Sequence, residues 1–219
     1  MKEYDKILTK EITELYTQIK DTIKERLKEF RNKWEIGSEE DILSELVFCI
    51  FTPQSKAVRC WNAVCVIKEK GHLVEGSRED YLECINEVRF KNRKSEFAIM
   101  ARDRFIVDGK VKIKEFLNSF KDNRAMRLWL RENIKGYGLK EASHFLRNIG
   151  LGHDLAILDR HILKNLVSLK IIKEIPKNLN DKRYLNIEKE LLKFCKFIDI
   201  PAQELDMLLW YKEAGHVFK

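Results

Sequence analysis

The chain has 219 residues, 42 Lys+Arg against 35 Asp+Glu, a formal charge of +7, and 44% hydrophobic residues. That much apolar material can bury a sizeable core, which excludes a disordered tail. The longest uninterrupted apolar run is six residues, Leu46 to Phe51, too short to cross a bilayer. The opening Met-Lys-Glu-Tyr-Asp-Lys lacks the apolar stretch of a secretory signal. The expectation is an intracellular protein.

In chain order, Leu8, Ile12, Leu15, Ile19, Ile23, Leu27, Phe30 and Trp34 recur at steps of three and four, the stripe of a long amphipathic helix. Gly37 and Ser38 break it, and Asp41 to Phe51 begins an apolar segment that stops at Thr52-Pro53. Helices are predicted next at roughly 54–70, 77–88, 93–105, 112–118 and 122–134, with Ser77 and Asp80 spaced as a helix cap. The 105–112 stretch reads as a short hairpin turning at Asp108-Gly109. A helix from about Leu139 and a last one between Pro201 and Gly215 complete an all-α class. Five scattered cysteines without a C-x-x-C pair read as buried thiols in a reducing compartment, with neither a disulfide framework nor a zinc site expected.

The charge is uneven. Residues 89–104 and 121–147 each carry a net +4, which leaves the rest of the chain at −1. Such concentration suits a polyanion-facing surface, although charge runs often line an ordinary solvated helix face.

The informative stretch is Ile134-Lys-Gly-Tyr-Gly-Leu-Lys140. Two glycines let the backbone turn sharply, and N–H groups exposed at a helix start suit a phosphate. This is a helix-hairpin-helix pattern, a sequence-independent clamp for DNA backbone, though a G-x-G turn can also simply join two helices. Leu139, Ala142, Leu146 and Ile149 form the buried face of the second helix, and Lys140, His144 and Arg147 are expected as a polar stripe opposite. Lys140 occupies the first helical turn, where the helix dipole disfavours an ammonium by roughly 0.3–1 kcal/mol. A nucleophilic lysine gains there, because it must lose its proton before it attacks.

Nineteen residues on, Leu155-Ala-Ile-Leu-Asp159-Arg-His161 delivers Asp159 to another helix start. A carboxylate there is a good N-cap, and cap hydrogen bonds favour its ionised form, so cap and catalyst are compatible. His153, Asp154, Asp159 and His161 match no metal-ligand spacing.

GYGLK followed by LDRH resembles the helix-hairpin-helix DNA glycosylases of the endonuclease III superfamily. Phe51 to Ala57 resembles that superfamily's Q-containing loop, and Arg89 to Lys94 its F/Y-N-x-K segment. These segments, the LDRH form and the terminal lysine are most similar to the type-2 8-oxoguanine DNA glycosylase/AP lyases. The chain departs from endonuclease III proper in having only Cys195 beyond residue 84, so no four-cysteine iron–sulfur cluster can form there. It also has Ile134-Lys135 where many relatives have Leu-Pro.

The resemblance implies a two-lobed helical fold with the active site between the lobes. Residues 38–144 would form a helical-barrel lobe ending in the hairpin, and 1–37 with 145–219 the second lobe. It implies excision of 8-oxoguanine through a Lys140 Schiff base, followed by β-elimination, with Asp159 stabilising the developing oxocarbenium. Gly136, Gly138 and Lys135 would contact the DNA backbone, and Gln54 would fill the gap left by the flipped base. Trp210 and Phe97 would stack on the base, Asp206 would accept its N1–H and N2–H donors, and Lys219 would cap the pocket. No metal or other cofactor is expected. The implied partner is double-stranded DNA containing a damaged base, with no membrane, for a monomer in the cytoplasm near the nucleoid. The alternatives are an endonuclease III-like glycosylase for oxidised pyrimidines and a non-catalytic helix-hairpin-helix DNA-binding protein.

Overall fold

A computed structural model describes residues 4–219. Among these the chain forms α1 (Lys6–Ile36), α2 (Glu39–Phe51), α3 (Ala57–Glu69), α4 (His72–Glu75), α5 (Arg78–Cys84) and α6 (Lys91–Arg104). A two-stranded hairpin, β1 (Ile106–Val107) and β2 (Lys110–Val111), leads to α7 (Ile113–Leu117), α8 (Asn123–Asn133) and α9 (Leu139–Asn148). The chain then forms α10 (Arg160–Ser168), α11 (Asp181–Ile198) and α12 (Ala202–Ala214). The all-α expectation holds, and the hairpin sits where Asp108-Gly109 placed it. Both turn residues have positive φ, 50° and 72°, as a type I′ turn requires.

The chain divides into two compact units, one of Arg31–Leu151 and one of Gly152–Lys219 with the described part of Met1–Phe30. The boundaries at 37/38 and 144/145 suggested by sequence differ from these.

In the Arg31–Leu151 unit, α2 is the axis. A capping box starts it: the Ser38 hydroxyl accepts from the Asp41 N–H at 3.1 Å, and Asp41 accepts from the Ser38 N–H at 2.9 Å. Every residue from Ile42 to Phe51 is buried, and α3, α6, α7 and α9 pack around it. The Ser77/Asp80 cap of α5 also forms as its spacing indicates.

A helix buried on all sides must satisfy its polar groups internally. Glu45 of α2 has no exposure, and Lys33 meets one carboxylate oxygen while Asn148 of α9 donates to the other at 3.1 Å. Arg147 donates to Asn148 at 3.1 Å. Arg147 and His144 are both buried, the imidazole lying edge-on to Phe48 at 5.6 Å. This corrects the expected polar stripe of Lys140, His144 and Arg147, because α9 runs inside the unit and only its first turn is open.

In the other unit, α10 and α11 both pack on α12. Tyr4 sets its ring against Phe194 and Phe197 of α11 at 4.9 and 5.0 Å, and the Tyr16 hydroxyl donates to Glu204 of α12 at 2.5 Å. Among the described residues no helix is long and apolar enough to cross a membrane.

Two helix ends differ from the periodicity reading. α5 stops at Cys84 rather than 88, because Ile85 and Val88, both buried, keep a helical spacing while the backbone enters a turn. α3 begins at Ala57 rather than 54, because Gln54 has φ +57° and cannot belong to a right-handed helix.

Glu45→Ala strands the Lys33 ammonium and the Asn148 amide inside the unit. The expected loss is about 3–5 kcal/mol of unfolding free energy in a urea titration.

Candidate functional site

The hairpin between α8 and α9 is built on Gly136, whose φ is +86°. A Cβ there would lie 2.8 Å from Phe97 Cδ2, so both the conformation and the close approach require glycine. Tyr137, between the two glycines, is buried and donates its hydroxyl to the Leu46 carbonyl at 2.9 Å, anchoring the turn to α2. Burial pushes the Tyr137 phenol well above its ordinary value, so it serves as a hydrogen-bond donor and not as an acid. Glu141 accepts from the Gly138 N–H at 3.1 Å, so that amide is engaged within the hairpin. Lys135 is exposed on the turn.

Lys140 stands in the first turn of α9, half-buried, its Nζ 3.3 Å from Glu141 Oε1. Next to it, Lys94 of α6 is buried and donates to the Phe51 carbonyl at 2.6 Å, the Pro53 carbonyl at 2.7 Å and the Ser55 hydroxyl at 3.0 Å. Burial, with the charges of Lys140 and Arg89, lowers the Lys94 ammonium to about 8. The buried Cys60 thiol, pushed up by burial, also donates to the Phe51 carbonyl at 3.2 Å. Above this cluster Gln54 is exposed, in the left-handed conformation that costs a non-glycine residue roughly 1–2 kcal/mol. Phe97 is half-buried under Gly136, with the Arg93 guanidinium 5.6 Å from its ring centroid.

The basic windows prove to be of two kinds. Lys94, Arg102, Arg127 and Arg147 are buried and spend their donors inside the unit, Arg102 on the Gly76 carbonyl and Arg127 on Ser143. Arg89, Lys91, Arg93, Arg104, Lys121, Arg124, Arg131 and Lys135 are exposed. The polyanion-facing reading applies to the second set only.

In the other unit, Asp159 caps α10, its Oδ1 accepting from the Ile162 N–H at 2.8 Å. The buried run Leu155–Leu158 that delivers it pairs with no strand among the described residues, and α11 supplies side chains instead. Glu188 accepts from the Ala156 N–H at 2.8 Å, and the Tyr184 hydroxyl donates to the Ala156 carbonyl at 2.6 Å while accepting from the Leu158 N–H at 3.3 Å.

Trp210 of α12 lies half-exposed, with His161 edge-on to it at 5.6 Å and an interplanar angle of 83°. His161 Nδ1 is 3.3 Å from Glu213 Oε2, and Asn165 donates to Glu213 Oε1 at 3.2 Å. Although desolvation pushes the Glu213 carboxyl up, these two hydrogen bonds outweigh it and hold it below the ordinary carboxylate value. Asp206 of α12 is buried, and its charge bears on the Cys195 thiol of α11. That thiol is pushed up to about 12, chiefly by burial. Lys219 is half-buried at the chain end.

Sequence reading missed the supports: Lys94, counted with the surface charge; Tyr184 and Glu188, on an unanticipated helix; and Glu213. None carries a local signal, because each acts on residues 26 or more positions away, or across two helices.

Residues 23–200 match the family described as 8-oxoguanine DNA glycosylase. A curated relative from Fusobacterium nucleatum, named 8-oxoguanine DNA glycosylase/AP lyase, is 49% identical over 209 residues, covering 95% of this chain and 96% of its own. One of the same name from Methanocaldococcus jannaschii is 38% identical over 217 residues, covering 97% and 100%. The solved M. jannaschii 8-oxoguanine glycosylase/lyase in complex with a 15mer DNA containing 8-oxoguanine superposes with TM-score 0.86 at 37% identity, over 97% of this chain and 100% of that one. The 8-oxoguanine DNA glycosylase of Thermotoga maritima does so at 0.85 and 36%, over 97% and 98%.

Two stability measurements test the local geometry. Gly136→Ala forces a Cβ into Phe97 at positive φ and is expected to cost about 1–3 kcal/mol in thermal or urea melting. Tyr184→Phe removes the hydroxyl that serves both Ala156 and Leu158 and is expected to cost about 1–3 kcal/mol.

Proposed function

We infer the function from one premise: the chain belongs to the 8-oxoguanine DNA glycosylase family. It is a DNA N-glycosylase and AP lyase that removes 8-oxoguanine and then nicks the strand. The observation that carries the residue assignment is the Lys140 amine, half-buried at the start of α9 immediately after the hairpin.

Lys140 is the nucleophile. As the bond between C1′ and the base breaks, the base leaves with the electron pair and takes up a proton, and the amine forms a bond to C1′. The sugar ring opens to a Schiff base, and loss of the C2′ proton expels the 3′ phosphate, cutting the strand. Asp159 is the carboxylate that stabilises positive charge developing on the sugar, which is where an enzyme gains most from a fixed charge. Its cap bond to Ile162 and the α11 side chains behind it support that role by fixing its position.

Gly136 and Gly138 admit the DNA backbone closely, and the exposed Lys135 adds charge that is sequence-independent and salt-sensitive. Gln54 fills the space vacated by the flipped base. Trp210 and Phe97 are the stacking surfaces for the base, and Asp206 and Lys219 read its polar edge. The partner is double-stranded DNA carrying the lesion. The enzyme acts as a monomer, on nucleoid DNA in the cytoplasm.

Borohydride reduction during reaction with an 8-oxoguanine duplex tests this. Wild type is expected to give a covalent protein–DNA adduct and Lys140→Gln none; an adduct that survives Lys140→Gln rules that residue out as the nucleophile. Asp159→Asn is expected to slow single-turnover excision by roughly 10²–10³-fold, the usual effect of losing one preorganised charge-stabilising group.

A further inference from the structure

Lys94 takes no part in the chemistry above, yet it is only 6% exposed and carries its charge beneath the Gln54 turn. Three acceptors from one short segment converge on its single nitrogen: the carbonyls of Phe51 and Pro53 and the hydroxyl of Ser55. An ammonium has three N–H donors splayed about one atom and no acceptor. The segment therefore uses each donor once, which offsets the cost of burying the charge.

Other bonds anchor the ends of the turn: the Cys60 thiol donates to the Phe51 carbonyl at 3.2 Å and the Thr52 hydroxyl to the Cys49 carbonyl at 3.0 Å. Within itself it has the Ser55 N–H to Thr52 carbonyl bond at 3.0 Å, and the Ser55 hydroxyl accepts from the Arg89 N–H at 3.1 Å. Its outermost residue, Gln54, sits in a backbone conformation that glutamine disfavours, with its side chain exposed. Such a conformation persists only where surrounding bonds over-determine it. Here those bonds are to the Phe51 and Pro53 carbonyls that precede Gln54 and to the Ser55 hydroxyl that follows it, all from one ammonium.

We propose that Lys94 is a positioning residue whose buried ammonium holds the Phe51–Ser55 turn in the conformation that projects Gln54 outward, so that insertion of Gln54 into DNA depends on a lysine that never touches DNA. The proposal rests on the gap-filling reading of Gln54. Without the ammonium, the Pro53 carbonyl loses its donor, and the Phe51 carbonyl and Ser55 hydroxyl are left to the Cys60 thiol and the Arg89 N–H. The turn then relaxes, and part of the energy of inserting Gln54 goes to ordering it again.

A double-mutant cycle on single-turnover excision of 8-oxoguanine tests this with wild type, Gln54→Ala, Lys94→Met and the double variant. Each single change is expected to slow excision by roughly 10- to 100-fold, and the double variant to be no slower than Lys94→Met alone, because both remove the same insertion. Effects that multiply overturn the proposal and leave the Gln54 reading standing. Gln54→Ala at the wild-type rate overturns that reading, and the proposal with it. Hydrogen exchange of the free protein separates positioning from general loosening. Lys94→Met is expected to speed exchange of the Ser55 amide by roughly tenfold or more while the α2 amides keep their protection. Unchanged Ser55 exchange overturns the proposal, as does equal acceleration throughout α2. If Lys94→Met does not fold, Lys94→Arg serves: a planar guanidinium keeps the charge but cannot aim three donors from one nitrogen, so the same slowing is expected. Wild-type behaviour in that variant overturns the proposal.

Discussion

The Glu45 carboxylate is fully buried in the unit that carries the hairpin, and Lys33 and Asn148 meet its two oxygens. A buried ionised group leaves little freedom, since moving either partner strands a charge. Asn148 lies at the last turn of α9 and Lys140 at the first, so the bond that satisfies Glu45 also sets the rotation and depth of α9. The Tyr137 hydroxyl on Leu46 holds the other end against the same α2. Lys140 is thus carried by a helix pinned at both ends, whose first turn alone reaches the surface.

The two residues assigned to the chemistry both stand at helix starts, where the dipole is positive. For Asp159 that is a favourable place, and the cap bond to Ile162 adds to it. Lys140 stands at the same kind of position on α9. The support behind each differs: α9 is held by buried polar pairs, whereas the run before Asp159 has its backbone groups answered by Tyr184 and Glu188.

The basic residues divide between structure and surface. Arg102, Arg127, Arg147 and Lys94 lie inside and bind carbonyls, hydroxyls and an amide. Net charge by sequence window therefore overstates what a DNA backbone meets. It still points to the right part of the chain, because the exposed remainder, from Arg89 to Lys135, lies in the hairpin's own unit.

The helical class, the Asp108-Gly109 turn, the capping box at Ser77, the hairpin glycines and the helix-start positions of Lys140 and Asp159 were legible without coordinates, because each is a short-range matter. Left-handed turns, caps and helix periodicity depend on residues within a few positions of one another. What the sequence left open was which polar residues go inside. His144 and Arg147 were read as an open face and lie buried, and Lys94 was counted with the surface charge while clasping a turn more than 40 residues earlier in the chain. Burial is set by what the rest of the chain places against a helix. A buried charge is tolerable only where distant acceptors converge on it, and only the tertiary structure brings those acceptors together.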